Sequence, residues 1–346
     1  MIMSITKTSE PDDDRFYSEV HGIVMSARRT AWRAVNDAMV GAYWQIGRAI
    51  VEEEQRGAVR AEYGKQLIES LSKRLTSDFG KGYDRSNLWN MRQFHLSFPI
   101  LDALRRELTW THYRLIMRLP NSQARSFYEA EMVSSRWSTR ELERQIDSML
   151  FERLAQSGDK EKVKSLAAEG QTLHEPADLV KDPYVLEFTG IPHATAFLES
   201  DLETALITKL EQFLLELGKG FLFAGRQQRI TLDGEHFYID LVFYNRLTRC
   251  FVLIDLKTGK LTHQDLGQMQ MYVHYYQREM MTDGENPPIG IVLCADKSEA
   301  VVRYTLPEGQ NQIFASRYQL YLPTEEELKQ EIIREREAIE QDQSRL

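Results

Sequence analysis

The run Glu235-His236-Phe237-Tyr238-Ile239-Asp240-Leu241-Val242-Phe243-Tyr244, followed after a short polar loop by Cys250-Phe251-Val252-Leu253-Ile254-Asp255-Leu256-Lys257, decides the fold of the C-terminal half. Both runs are rich in β-branched and aromatic residues and are short enough for strands. On the first, Asp240 shares a face with Val242 and Tyr244, while Ile239, Leu241 and Phe243 occupy the other. On the second, Phe251, Leu253, Asp255 and Lys257 point one way and Val252, Ile254 and Leu256 the other. If the strands pair as an antiparallel hairpin with Asn245 opposite Cys250, Asp240 falls opposite Asp255. Carboxylates at cross-strand distance repel unless something positive lies between them. Magnesium takes one or two carboxylates plus waters and substrate phosphate, so the pattern points to a magnesium site on Asp240 and Asp255, with manganese as the alternative ion. Lys257, one pleat beyond Asp255, is placed to orient or polarise an attacking water, or to offset charge on phosphate oxygens.

Outward from this pair, Asp233-Gly234 has the composition of a type I′ turn and joins the first run to an earlier strand at 221–232. Upstream, 199–217 reads as an amphipathic helix closed by Gly218 and Gly220. Downstream come a helix at 264–280 and strands at 289–295 and 312–322. The result is a mixed α/β, restriction-endonuclease-like sheet flanked by helices. The N-terminal half has helical periodicity instead. It begins with a long helix or a broken pair at 16–54, marked by Val20, Ile23, Val24, Ala27, Ala31, Val35 and Met39. A helix at 63–75, a turn through Gly80 and Gly82, and a helix capped by Asp84 or Ser86 and stopped by Pro99 follow in helix-turn-helix order. Two more helices follow, one at 110–118 and one opened by the capping box Ser138-Thr139-Arg140-Glu141. Lys73, Arg74, Lys81, Arg85 and Arg92 surround the turn, where cations suit DNA phosphates, while Trp89 and Phe94 read as core. The expected organisation is α+β overall: an all-helical DNA-binding domain at 15–155, a linker at 156–181, a nuclease-like domain at 182–323 and a charged helix at 324–346.

The 346 residues suffice for two domains, and 42% hydrophobic with 27% charged residues is a globular balance. A net charge of −9 argues against unspecific nucleic-acid binding, so any basic surface has to be local. No apolar run reaches the roughly 18 residues of a membrane span, and the first residues lack a secretory pattern; a cytoplasmic protein is expected. Cys250 and Cys294 fall inside strands and read as buried thiols. The histidines show no zinc spacing, and Gly259-Lys260-Leu261 lacks the hydroxyl and glycine spacing of a phosphate loop.

Asp240, a gap of fourteen residues, then Asp255-Leu256-Lys257 resembles the PD-(D/E)xK nuclease superfamily. Glu203 on the preceding helix and the Gly225-Arg226-Gln227 strand strengthen the likeness. Gln268 and Tyr272, four apart on one helix face, resemble the helper motif of nucleases related to the RecB nuclease domain and Holliday-junction resolvases. At closer range, 201–322 resembles the YhcG-type nuclease domain and 17–151 the helical domain that precedes it. Gly80-Lys81-Gly82-Tyr83, Asn87-Leu88-Trp89-Asn90-Met91-Arg92-Gln93-Phe94 and Ile254-Asp255-Leu256-Lys257-Thr258-Gly259 carry that likeness. The resemblance implies cleavage of DNA, with Asp240 and Asp255 on the metal, Lys257 beside the water, and Glu203, Gln268 and Tyr272 in support. Relatives often carry Glu where this chain has Asp255, which leaves a shorter arm to reach the ion. A non-catalytic nucleic-acid-binding or complex-assembly protein with the same fold, and an RNA-processing enzyme, are the alternative readings. DNA is the expected partner, and a homo-oligomer or further protein partners stay open.

Overall fold

The computed structural model describes residues 11–56, 63–155, 160–173, 175–192, 196–322, 324 and 326. By packing, the chain divides into Met1–Arg125 and Ser126–Leu346.

The first unit is helical: α1 (Pro11–Arg56), α2 (Tyr63–Phe79), α3 (Arg85–Ser97) and α4 (Trp110–Ile116). The first segment is one unbroken helix of 46 residues. Its second half lies so close to α3 that a Cβ on Gly47 would stand 2.0 Å from the Met91 carbonyl oxygen. Glycine lets the two backbones meet there, and Ile50, Ile68, Leu88 and Met91 fill the core beside the crossing. Asp84 caps α3 by accepting from the Asn87 N–H at 3.0 Å. The preceding turn needs its glycines, whose φ values are +82° and +136° at Gly80 and Gly82. Phe94 is fully buried and Trp89 packs against the core.

The second unit opens with the body of α5 (Ser122–Ser135), then α6 (Thr139–Asp147), α7 (Leu150–Leu154) and α8 (Lys160–Glu169). Two of these depart from expectation. α5 was not foreseen, because its buried positions, Ala124, Phe127, Tyr128 and Met132, are thinly spread among polar residues. α8 lies inside the expected 156–181 linker, where the sequence offers Ala167 as a buried anchor and only Val163 and Leu166 as half-buried apolar neighbours. The single helix expected at 199–217 is two, α9 (Glu199–Thr208) and α10 (Leu210–Leu217), parted at Lys209.

The sheet has six strands: β1 (Tyr184–Val185), β2 (Phe221–Leu232), β3 (Glu235–Asn245), β4 (Cys250–Lys260), β5 (Ile289–Asp296) and β6 (Ile313–Gln319), in the order β1-β6-β5-β4-β3-β2. β1, β6, β5 and β4 run parallel, while β4-β3 and β3-β2 are antiparallel. Asp233 and Gly234 adopt φ values of +50° and +86°, the left-handed pair that a tight β2–β3 turn requires. Central β4 is apolar on both faces because helices cover both. α9 and α10 bring Leu202, Leu206 and Phe213 to Val252, Ile254 and Leu256. α11 (His263–Tyr275), prolonged by a wide turn at Tyr276–Met280, brings Leu266, Met269 and Tyr272 to Leu253, Val242 and Val292. α12 (Glu299–Thr305) follows β5. Cys250 and Cys294 are free and buried. The charged helix expected at 324–346 lies, apart from residues 324 and 326, outside the described residues. Among the described residues no helix is long and apolar enough to cross a membrane.

Candidate active site

The β3–β4 ladder pairs Asn245 with Cys250 and proceeds in register to Leu241 opposite Ile254, where it stops. At the next step Asp240 turns its carboxylate onto the neighbouring backbone: the Leu256 N–H donates to Asp240 Oδ2 at 2.8 Å. On the other side, the pairs Arg226–Leu241 and Gln228–Ile239 bracket Gln227, placing it across from Asp240. The Gln227 amide donates to Asp240 Oδ1 at 2.9 Å and to Glu203 Oε2 at 2.6 Å. Strict alternation fails on this part of β3. Ile239 packs with Val242 on the α11 side, whereas Leu241 faces α9 and α10. Asp240 sits at that switch, where the sheet opens into a fork.

Asp255 lies in the fork, 2% exposed, with Lys257 Nζ 2.7 Å from its Oδ2. The two form an ion pair, and among the described residues Oδ2 has no other partner. Burial pushes the Asp255 carboxyl up, to about 7, the Asp240 charge adds to this, and Lys257 only partly opposes it. Burial also works against the Lys257 charge, but Asp255 outweighs it and holds the ammonium up, at about 12. Glu199, at the start of α9, stands 3.6 Å from Lys257 Nζ and accepts from the Thr258 N–H at 3.4 Å. Glu203, one turn later, is buried.

Gln268 and Tyr272 are linked, the Gln268 amide donating to the Tyr272 hydroxyl. That hydroxyl donates in turn to the Tyr238 carbonyl at 2.9 Å, tying α11 to the strand two residues before Asp240. Two residues now join the constellation. Gln227 was legible, for equal steps back from the Leu232–Glu235 pair across the Asp233-Gly234 turn reach Gln227 opposite Asp240. Glu199 precedes Glu203 by four, the spacing that sets two residues on one helix face. Arg226, Arg229 and Lys260 are exposed on the strands around the cluster.

In the first unit Lys73, Arg74, Lys81 and Arg85 are exposed about the α2–α3 turn. Arg92, also expected to contact phosphate, is less open than these four. Its guanidinium is half-buried, 2.6 Å from Glu54, and lies over the Trp89 ring at 5.2 Å.

Comparison with known proteins matches both halves of the chain. The YhcG PDDEXK nuclease domain matches 177–333 and the DUF1016 N-terminal domain matches 19–153. The Escherichia coli (strain K12) protein named "Putative nuclease YhcG" is 38% identical over 94% of this chain and 96% of its own length. A repair endonuclease from Pyrococcus abyssi is 20% identical, covering 38% of this chain and 50% of that one with a TM-score of 0.25. EndoMS in a dsDNA complex is 16% identical over 38% of this chain and 48% of that one, with a TM-score of 0.27. The chain thus spans about half the length of these solved structures, a likeness too weak to bear on function. The match over nearly the whole length of both chains places this protein in the YhcG family of PDDEXK nucleases.

Proposed function

We propose that the chain is a divalent-cation-dependent endonuclease that hydrolyses phosphodiester bonds of DNA, with Asp240, Asp255 and Lys257 as its catalytic centre. The observation that carries this reading is the fork itself. Two carboxylates and a lysine meet where β3 leaves β4, and the buried Asp255 is raised by burial and by its like-charged neighbour. A buried carboxylate in that state favours a positive ion over bulk water.

The donor set suits magnesium. Among the described residues no group of three or more His, Cys, Asp or Glu is placed to hold an ion. On this reading the protein's share would be Asp240, Asp255 and the Leu256 carbonyl, and magnesium accepts such a sparse set because water and substrate phosphate complete it. When bound, magnesium supplies Lewis acidity toward the phosphate and makes water a better nucleophile. Lys257, held up at about 12, stays charged at neutral pH. It therefore donates to the water or to the phosphate oxygens and does not act as a base. Gln227 holds Asp240 from one side and the Leu256 N–H from the other. Glu203 fixes Gln227, Glu199 holds Lys257, and Gln268 with Tyr272 anchors the approach of β3.

Arg226, Arg229 and Lys260 supply the local positive surface that a chain of net charge −9 needs to approach a polyanion. The helical unit, through Lys73, Arg74, Lys81 and Arg85, positions DNA, while Arg92 serves that unit's own structure. Nicking of a supercoiled plasmid tests the reading. Wild-type protein with magnesium is expected to cut, and Asp240→Ala and Lys257→Ala to lose at least about 100-fold in rate. Equal cutting by all three proteins overturns the assignment, and an RNA competitor that abolishes DNA cutting overturns the choice of DNA.

A further inference from the structure

The first half of α1 has no partner among the described residues: every residue from 14 to 35 is exposed. At about 1.5 Å per residue this is roughly 33 Å of helix standing in solvent. Phe16, Tyr17, Ile23, Trp32 and Val35 are 60–70% exposed, and Val24 is 44% exposed. A helix of this length is marginal in water, and its stability comes from burying an apolar face. From Asn36, whose amide donates to the Leu108 carbonyl at 2.9 Å, α1 joins the core of its unit.

The exposed face is patterned. Tyr17, Val20, Val24, Ala27, Ala31 and Ala34 recur at alternating steps of three and four, the seam of a two-stranded coiled coil. Phe16 and Ile23 widen the seam on one side. The alanines leave room for a second backbone to come close. By ordinary side-chain areas Phe16, Tyr17, Val20, Ile23, Val24 and Val35, on or beside the seam, expose on the order of 650 Å², most of the about 800 Å² per partner in a standard specific interface.

Charge selects the occupant. Asp12, Asp13, Asp14 and Glu19 against Arg15 give the start of the helix a net charge of −3 (four acids, one base). Arg28, Arg29 and Arg33 give the following stretch +3, with no acid from 20 to 36. A helix acidic at one end of its seam and basic at the other complements an antiparallel copy of itself, and a parallel copy would set like on like. Such a pairing is isologous and closes as a two-fold dimer.

We propose that residues 14–35 of α1 form an antiparallel coiled coil with the same segment of a second copy, making the protein a homodimer. The inference is independent of the nuclease reading.

Sedimentation of the full chain at tens of micromolar tests it. The expected species is a dimer of two 40.3 kDa chains. Ile23→Asp with Ala27→Asp changes only exposed positions, so it is expected to give monomers whose main thermal unfolding transition is retained. Reversing Arg28, Arg29 and Arg33 to Glu is expected to weaken the dimer at least about tenfold at low salt. Adding Asp12→Lys, Asp13→Lys, Asp14→Lys and Glu19→Lys to that variant is expected to restore it. A monomeric wild-type chain overturns the proposal, as does a dimer indifferent to the Ile23 and Ala27 changes. Loss without restoration in the doubly reversed protein overturns the antiparallel arrangement.

Discussion

Gln227 holds a backbone conformation that side chains other than glycine rarely take, φ +47°, inside a strand. Such strain costs on the order of 1–3 kcal/mol and persists when surrounding contacts over-determine it. Here the contacts are two carboxylates that share one amide. Removing the amide in Gln227→Ala leaves Asp240 held from the Leu256 N–H side alone and returns two neighbouring charges to one another. The magnesium concentration for half-maximal cleavage is expected to rise about tenfold or more, the usual consequence of losing a residue that orients a metal ligand. Titration of cleavage against magnesium checks this, and an unchanged midpoint would remove Gln227 from the site. At this scale the sequence was informative about identity: Asp240, Asp255 and Lys257 interrupt apolar strands, and their types suggested the chemistry. What the residues do to one another was not readable. The rise of the Asp255 carboxyl depends on burial and on the Asp240 charge, neither of which is a property of one strand.

Among the elements, the turns and the register of the hairpin β2–β3–β4 were legible as far as Leu241 opposite Ile254, because that pairing is local. Asp233-Gly234 sets one register and the Asn245–Cys250 closure the other, so each step along one strand implies a step on its neighbour. α5 and α8 were not, because a helix stabilised by a few buried contacts leaves only a weak periodic trace. The α1–α3 crossing illustrates the same limit. In sequence Gly47 is a helix-weakening residue, and only the crossing shows that nothing larger fits. Gly47→Ala is therefore expected to destabilise the protein by about 1–3 kcal/mol, although alanine is intrinsically the better helix former by about 1 kcal/mol. Gly41, on the same helix, would place its Cβ in open space. Gly41→Ala is expected to be neutral or stabilising, and urea unfolding of the two variants separates tertiary cost from helix propensity. Equal stability of both would mean that the α1–α3 contact is looser than described.

For the whole molecule, a buried ion cluster around Glu216 ties α6 and α7 to α10 and to the start of β1. Arg153 meets Glu216 at 2.6 Å and Arg144 at 3.1 Å, while Lys181 donates to the Glu216 carbonyl and Val185 N–H to its side chain. Burial alone would push the Glu216 carboxyl up; Arg153, Lys181 and Arg144 outweigh it and hold the group at about 2. Its ordinary value is 4.5, so the folded chain binds this proton less tightly than the unfolded one. The resulting stability is present above pH 4.5 and is lost as pH falls toward 2, on the order of 3 kcal/mol in all. Urea unfolding at pH 7, 4.5 and 3 is expected to show that slope. Glu216→Gln is expected to flatten it and to cost about 3–5 kcal/mol at neutral pH by leaving Arg153 unpaired in the interior; an unchanged acid limb would show that other carboxylates carry it. Local pattern determined the strands, the turns, the β3–β4 register and the residue types of the site, because side-chain period and hairpin geometry act over neighbouring positions. Only the folded structure decided that β3 parts from β4 at Asp240, that one Gln227 amide is shared by Asp240 and Glu203, and that Glu199 reaches Lys257. Those outcomes depend on burial and charge contributed by segments distant in sequence, and no local periodicity encodes them.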